Sequence, residues 1–582
     1  MDPYALLVPP PKTLRLGGGR GPAPDAEPEL RIATGEPHGP QSYRIVVGSQ
    51  GITVTGADEA GLFYGAGTLR QLQDDLPGLP ELELEDWPDL EHRGVMLDIS
   101  RDRVPTMATL LDLVDRLASF KINQLQLYME HTFAYRGHER VWRDASPLTP
   151  GEIVELDAHC RARHVELVPN QNSFGHMHRW LRHEPYRQIA ECPGGVDHPF
   201  SPSREPFSLC PTDPKSLELL ADLYDQLLPC FTSRLFNVGL DETFDLGLGR
   251  SAERCAQVGT ERVYLEFLGA VHGMVSARGR RMQFWGDIIL KRPELIAELP
   301  RDAVALEWGY EADHPFDSHA SLFGGAGLEF YVCPGTSSWS AIAGRVDNAL
   351  GNIARAAAAG LEAGASGLLV TDWGDNGHLQ PPHVSWPGFI AAARHGWDAR
   401  SSVLDGGTLA ALLDRRVFHD GAGVMGRATV ALGNAYQATG VTLRNGTILS
   451  RLLLDPGPWP AARIPTSLTA EGLRRARSVV ERAASSLSGA RSERADAALL
   501  LREQRWVADA LALACRIGLA RLDPGLDSPL EAIASAERAT LAGALEALVA
   551  EHRALWLERS RPGGLDDSAA RLERTLAALR VD

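Results

Sequence analysis

Two rhythms of apolar and polar residues divide the front of the chain from its middle, and a third marks its end. Up to about residue 90, period-two alternation in SYRIVV and GITVTG predicts strands, while EAGLFYGAGTLRQLQDDL has helical spacing. We read residues 1–90 as a small α/β domain that opens with a Pro/Gly-rich arm, including GGGRG at 17–21, and exits through EDWPDLEHR. Over residues 91–400, short continuous apolar runs alternate with amphipathic segments. The runs are GVMLDIS (94–100), NQLQLYM (123–129), VELVPN (165–170), LFNVGL (235–240), RMQFW (281–285), AVALEW (303–308), LEFYVC (328–333) and SGLLVT (366–371). Parallel strands covered on both faces read this way, and eight strand–helix units predict a (β/α)8 barrel, with a doubly wound sheet as the competing arrangement. Residues 401–582 repeat at 3.6, as in LRRARSVVERAASSL and EAIASAERATLAGALEALVAEHRALWLERS, so an α-helical domain closes an α/β chain.

Composition narrows the partners. The 582 residues carry 75 acidic against 58 basic side chains, a net charge of −17 that repels both a phosphate backbone and an anionic bilayer. We therefore expect no nucleic acid and no membrane partner. The apolar run in MDPYALLVPPPK is too short for the core of a secretory signal, and the seven cysteines contain no CxxC pair, so a reduced cytoplasmic protein is the expectation.

The chemistry lies at the strand ends, where barrel active sites assemble. In order these carry Asp98 and Arg101; Tyr128, Glu130 and His131; Asn170, Asn172, His176 and His178; Asp241 and Glu242; Trp285 and Asp287; Glu307 and Trp308; Tyr331 and then Trp339; and Asp372, Trp373 and Asp375. Indole faces stack on the C–H faces of sugars, and carboxylates with an Arg bind hydroxyls, so the expected ligand is a neutral carbohydrate. The sharpest feature is FNVGLDETFDLG (236–247), where a buried run ends in two consecutive carboxylates. Two acids this close cost electrostatic energy unless one keeps its proton, which is what a general acid must do near neutral pH. An Asp capping the next helix is the plainer reading of the same pair.

Together HRGVMLDISR, NQLQLYMEHTFAY, SFGH, NVGLDET, MQFWGD and TDWGD resemble, in order and at barrel spacing, the family 20 glycoside hydrolases, which are exo-β-N-acetylhexosaminidases. The resemblance implies a glycan with a terminal β-linked GlcNAc or GalNAc as partner, no cofactor and no metal. It also implies substrate-assisted retaining hydrolysis, in which the 2-acetamido oxygen is the nucleophile. Glu242 would be the general acid/base and Asp241 would orient the acetamido group. Arg101 would bind the C3 and C4 hydroxyls and Asp375 the C4/C6 side, with Trp285, Trp308 and Trp373 as the box around acetamido group and ring. Glu130 and His176 would support them. Tyr331 is the candidate donor to the acetamido oxygen, with Trp339 lining that side. The family's His-x-Gly-Gly-Asp-Glu is altered here, since Asn237, Val238, Gly239 and Leu240 precede Asp241. A homodimer is compatible with this reading. The alternatives are a non-catalytic carbohydrate-binding protein on the same scaffold and a metal-dependent barrel hydrolase ligated by His176, His178 and Asp287 or Asp375.

Overall fold

The computed structural model describes residues 3–23, 26–33, 38–76, 78–199 and 203–581. Its front sheet holds β1 (Thr13–Arg20), β2 (Glu29–Ile32), β3 (Tyr43–Gly48), β4 (Gly51–Gly56) and β5 (Pro80–Asp86), in the order β1-β5-β3-β4-β2. The period-two pattern places Ile45, Val47, Ile52, Val54, Leu82 and Leu84 on one face. There they bury Tyr64, Leu69 and Leu72 of the helix Glu59–Asp75, whose first turn is capped by the Asp58 side chain on Gly61 N–H at 2.7 Å. GGGRG differs from expectation: most of it lies in β1, an exposed strand paired antiparallel with β5. Glycine is what admits the neighbouring side chain, because a Cβ on Gly17 or Gly19 would meet Glu81 at 2.8 or 2.5 Å.

Eight parallel strands follow, and all eight apolar runs are strands. They are β6 (His92–Asp98), β7 (Gln124–Tyr128), β8 (Glu166–Val168), β11 (Leu235–Asn237), β12 (Arg281–Trp285), β13 (Val304–Trp308), β14 (Phe330–Cys333) and β15 (Gly367–Asp372). A two-strand excursion, β9 (Val196–Asp197) and β10 (Arg204–Glu205), interrupts the series. The sheet order β11-β12-β13-β14-β15-β6-β7-β8 closes through a parallel bridge between Asn170 and Asn237, with Asn237 N–H on Pro169 O at 2.9 Å. Inside, a polar layer ties opposite walls together. The Gln126 amide donates to Gln283 at 2.9 Å and accepts from Asn170 and Asn237 at 3.1 and 3.0 Å, so this buried amide uses both its nitrogen and its oxygen.

Among the described residues, seven α-helices from Gly406–Leu412 to Leu565–Leu579 form the final region around Leu452, Leu473, Trp506, Leu511 and Leu545. This region reaches the C-terminal ends of the barrel strands. Asn445 N–H donates to Glu311 at 2.6 Å, and Asn445 also accepts from the Trp339 indole at 2.7 Å. Among the described residues no helix is long and apolar enough to cross a membrane, and the seven cysteines are free.

One buried cluster fastens the front sheet to the barrel. Asp86, at the end of β5, accepts from the Lys121 ammonium at 2.8 Å, the Tyr43 hydroxyl at 2.6 Å and the Trp397 indole at 2.7 Å. Burial pulls the Lys121 pKa down, and the Asp86 carboxylate opposes that pull. Removing one partner strands the other's charge. Asp86→Ala should cost about 3–5 kcal/mol in denaturant unfolding, and adding Lys121→Met should restore most of it. Equal losses in the single and double variants would show that the pair is not what holds this junction.

Candidate active site

The acid pair sits on a strained turn. After β11 the chain runs through Gly239, Leu240 and Glu242 at φ of 72°, 74° and 51°, left-handed conformations that a Leu or Glu rarely adopts. Hydrogen bonds hold it there: Trp285 N–H to Gly239 O at 2.9 Å, the Tyr264 hydroxyl to Leu240 O at 3.0 Å, and Glu242 N–H to the Asp287 carboxylate at 3.3 Å. Gly239 is required, because a Cβ would lie 2.4 Å from the Asn172 side-chain oxygen. The turn thereby sends two consecutive carboxylates to the same side, which an extended strand cannot do.

His176 faces both acids. Its Nε2 lies 3.2 Å from Asp241 Oδ2 and 3.2 Å from Glu242 Oε2. Burial lowers its pKa, but the Asp241 and Glu242 carboxylates together outweigh burial and raise the imidazole to about 10. In return, and against its own burial, Asp241 is held below the usual carboxylate range by His176 and by the Asn172 amide at 3.1 Å. Asp241 is 9% exposed and Glu242 28%, so Asp241 stands behind and Glu242 at the opening. Beside the pair, burial and the Asp241 and Glu242 carboxylates push Asp287 up to about 7, and its Oδ1 is buried without a hydrogen-bond partner.

Arg101 occupies the neighbouring wall. Its guanidinium contacts Asp98 and Glu130, each at 3.4 Å, and its Nη2 is 3.3 Å from His176 Nδ1. It also lies over the Tyr128 and Trp373 rings, at 4.7 and 5.0 Å from their centroids. Asp375 is partly exposed nearby, and burial, opposed by Arg101, raises it to about 6. The indoles complete the wall: Trp285 is 6.3 Å from Trp373, Trp308 stacks on Tyr310 at 5.1 Å, and Trp339 meets Tyr310 edge-on at 5.1 Å. The Nε1 atoms of Trp285 and Trp308 are buried without partners.

Asp241, Glu242, His176, Arg101, Glu130, Trp285, Trp308, Trp339, Trp373 and Asp375 are thus brought to one end of the barrel. Tyr331 is not. It is the second residue of β14, pairs with the first residue of β15 and stacks on His92 at the start of β6, with ring centroids 5.4 Å apart. That is the opposite end of the barrel, so its assignment to the acetamido group is corrected. A tyrosine at the site that the strand ends did not include is Tyr310, whose hydroxyl accepts from the Trp373 indole at 2.8 Å. Its signal was EWGY, two residues beyond Trp308. His178 does not join His176 in a ligand pair, because its ring lies parallel to Phe207 with centroids 6.3 Å apart. A cleft of about 1390 Å³ lies beside Ser119 and Lys121, ahead of β7, and holds none of these residues.

Residues 90–325 match the catalytic domain of glycosyl hydrolase family 20 and residues 12–87 match that family's domain 2; the chain belongs to this family. It is 28% identical over 275 residues to a beta-hexosaminidase of Akkermansia muciniphila, a match spanning 42% of this chain and 55% of that protein. It is 26% identical over 239 residues to hexosaminidase D of Bos taurus, spanning 40% of this chain and 66% of the other. The chain therefore covers only about half to two thirds of these relatives. The solved N-acetyl-beta-hexosaminidase of Streptomyces plicatus shares the fold at 19% identity with a TM-score of 0.55, covering 74% of this chain and 96% of that one.

A raised histidine pKa stabilises the folded state fully below the ordinary value near 6.5, and the contribution is lost as pH rises through about 10. In NMR titrations the His176 ring should stay charged past pH 8, and Asp241→Asn should lower its midpoint by about one unit or more. A midpoint near 6.5 in the intact protein would mean the carboxylates do not hold this proton.

Proposed function

We propose that the protein is an exo-acting β-N-acetylhexosaminidase that removes terminal β-linked GlcNAc or GalNAc by substrate-assisted retaining hydrolysis. The observation that carries this reading is the unequal environment of two adjacent acids: Asp241 buried and held ionised by His176 and Asn172, Glu242 at the opening. A carboxylate held ionised beside the acid is what a substrate nucleophile that becomes cationic requires. The hexosaminidase names of the Akkermansia and bovine relatives agree with it.

In this mechanism Glu242 gives its proton to the departing glycosidic oxygen while the acetamido oxygen attacks the anomeric carbon. Asp241 accepts the acetamido N–H and balances the positive charge of the oxazolinium ring, a fixed charge aimed where charge develops. Water then opens the ring, with Glu242 taking its proton. Arg101, anchored on Asp98 and Glu130, presents its guanidinium to the C3 and C4 hydroxyls, and Asp375 faces the C4/C6 side. Trp285, Trp308 and Trp373 confine the acetamido group and ring. Tyr310, whose hydroxyl accepts from Trp373, is the donor we assign to the acetamido oxygen.

Aryl β-GlcNAc and β-GalNAc should be cleaved and aryl β-glucoside left intact. Glu242→Gln should lower kcat/KM on poor leaving groups by about 10²–10⁴-fold and much less on activated ones, which need little protonation. Equal losses on both classes would contradict the acid assignment, and comparable turnover of the glucoside would contradict the acetamido nucleophile.

A further inference from the structure

We propose that a second site, behind the aromatic wall, binds a borderline divalent cation of the Zn²⁺ type through Glu307, His314 and His319. It is separate from the carbohydrate chemistry. In β13 the side chains of Val304 and Leu306 fill the barrel interior and Ala305 packs outward, so Glu307 points outward too, into the layer between barrel and helices. It is completely buried there.

Two imidazoles converge on this carboxylate. His314, on the loop after β13, places Nε2 2.8 Å from Glu307 Oε1, and His319, in the helix Phe316–Gly325, places Nδ1 2.9 Å from the same oxygen. The donor atoms of the three side chains lie within 4.8 Å of one another. The close approach is built in: a Cβ on Gly309 would lie 2.2 Å from the His314 ring, so only glycine lets that ring fold back over the strand end.

A second observation points to a ligand. Glu307 Oε2 is buried and has no hydrogen-bond partner, while Oε1 receives both histidines. With both imidazoles on one oxygen, the other oxygen of a buried carboxylate is left unanswered, which folded proteins rarely tolerate. A cation between the three side chains answers them. Two neutral imidazoles and one carboxylate suit Zn²⁺, with bonds of about 2.0–2.2 Å that small side-chain shifts would allow. His314 and His319 are 18% and 30% exposed, which gives an ion a route from solvent. Such an ion would pin the loop that carries Tyr310 and the strand end that carries Trp308.

The full chain, stripped by chelator and dialysed, should take up one Zn²⁺ per chain in calorimetric titration with zinc sulfate. His314→Gln and His319→Gln should each weaken that binding at least tenfold, and His176→Gln should not. The last arm separates this site from the His176, Asp241 and Glu242 cluster, whose ligand atoms also lie close together. X-ray absorption at the zinc edge of the unmutated protein needs no variant to fold, and should show two imidazoles. No uptake at micromolar zinc, uptake indifferent to His314 and His319, or a spectrum with a single imidazole would each overturn the proposal.

Discussion

Everything at the barrel mouth depends on making two adjacent carboxylates tolerable where water is scarce. Coulomb repulsion between them grows as the local dielectric falls, so the pair can exist only with compensating charge and donors fixed nearby. His176 supplies the charge to both acids and Asn172 clamps the inner one. The price is backbone strain at Leu240 and Glu242, secured by Tyr264 and Asp287. The outcome is asymmetry: one acid is locked in its ionised form and the other is left at the opening.

The aromatic wall rests on a wider frame. Trp373 is tied to Tyr310, Tyr310 packs between Trp308 and Trp339, and Trp339 is tied to Asn445 of the helical region. Arg345 reinforces the same corner by a two-pronged contact with Glu311 at 2.8 and 3.0 Å. The final helices thus act on the pocket by holding its loops, without lending it an acid.

Much of this was legible in the chain. Continuous apolar runs marked all eight barrel strands because each is covered on both faces, and the residues at their ends converge because the strands are parallel. Tyr331 misled because a tyrosine in a short strand can face the barrel interior at either end, and its place as the second residue of β14 puts it at the far one. Tyr310 was missed because it lies two residues past its strand, where no periodicity reports direction. β1 escaped because three glycines carry no strand signal, and its partner strand β5 is distant in sequence. The brace from Asn445 joins residues 106 apart in sequence, and no local pattern records it.

The central claim is that Asp241 stabilises a cyclised, positively charged sugar and not a covalent glycosyl-enzyme. Its most direct test is the inhibition constant of a GlcNAc-derived thiazoline, which imitates the cyclised intermediate, against the intact protein and Asp241→Asn. The account requires competitive inhibition about 10²-fold or more tighter than the substrate KM in the intact protein, because an intermediate mimic captures interactions meant for the transition state. It also requires most of that advantage to vanish in Asp241→Asn. A thiazoline that binds no better than substrate, or equally well to both proteins, would contradict it.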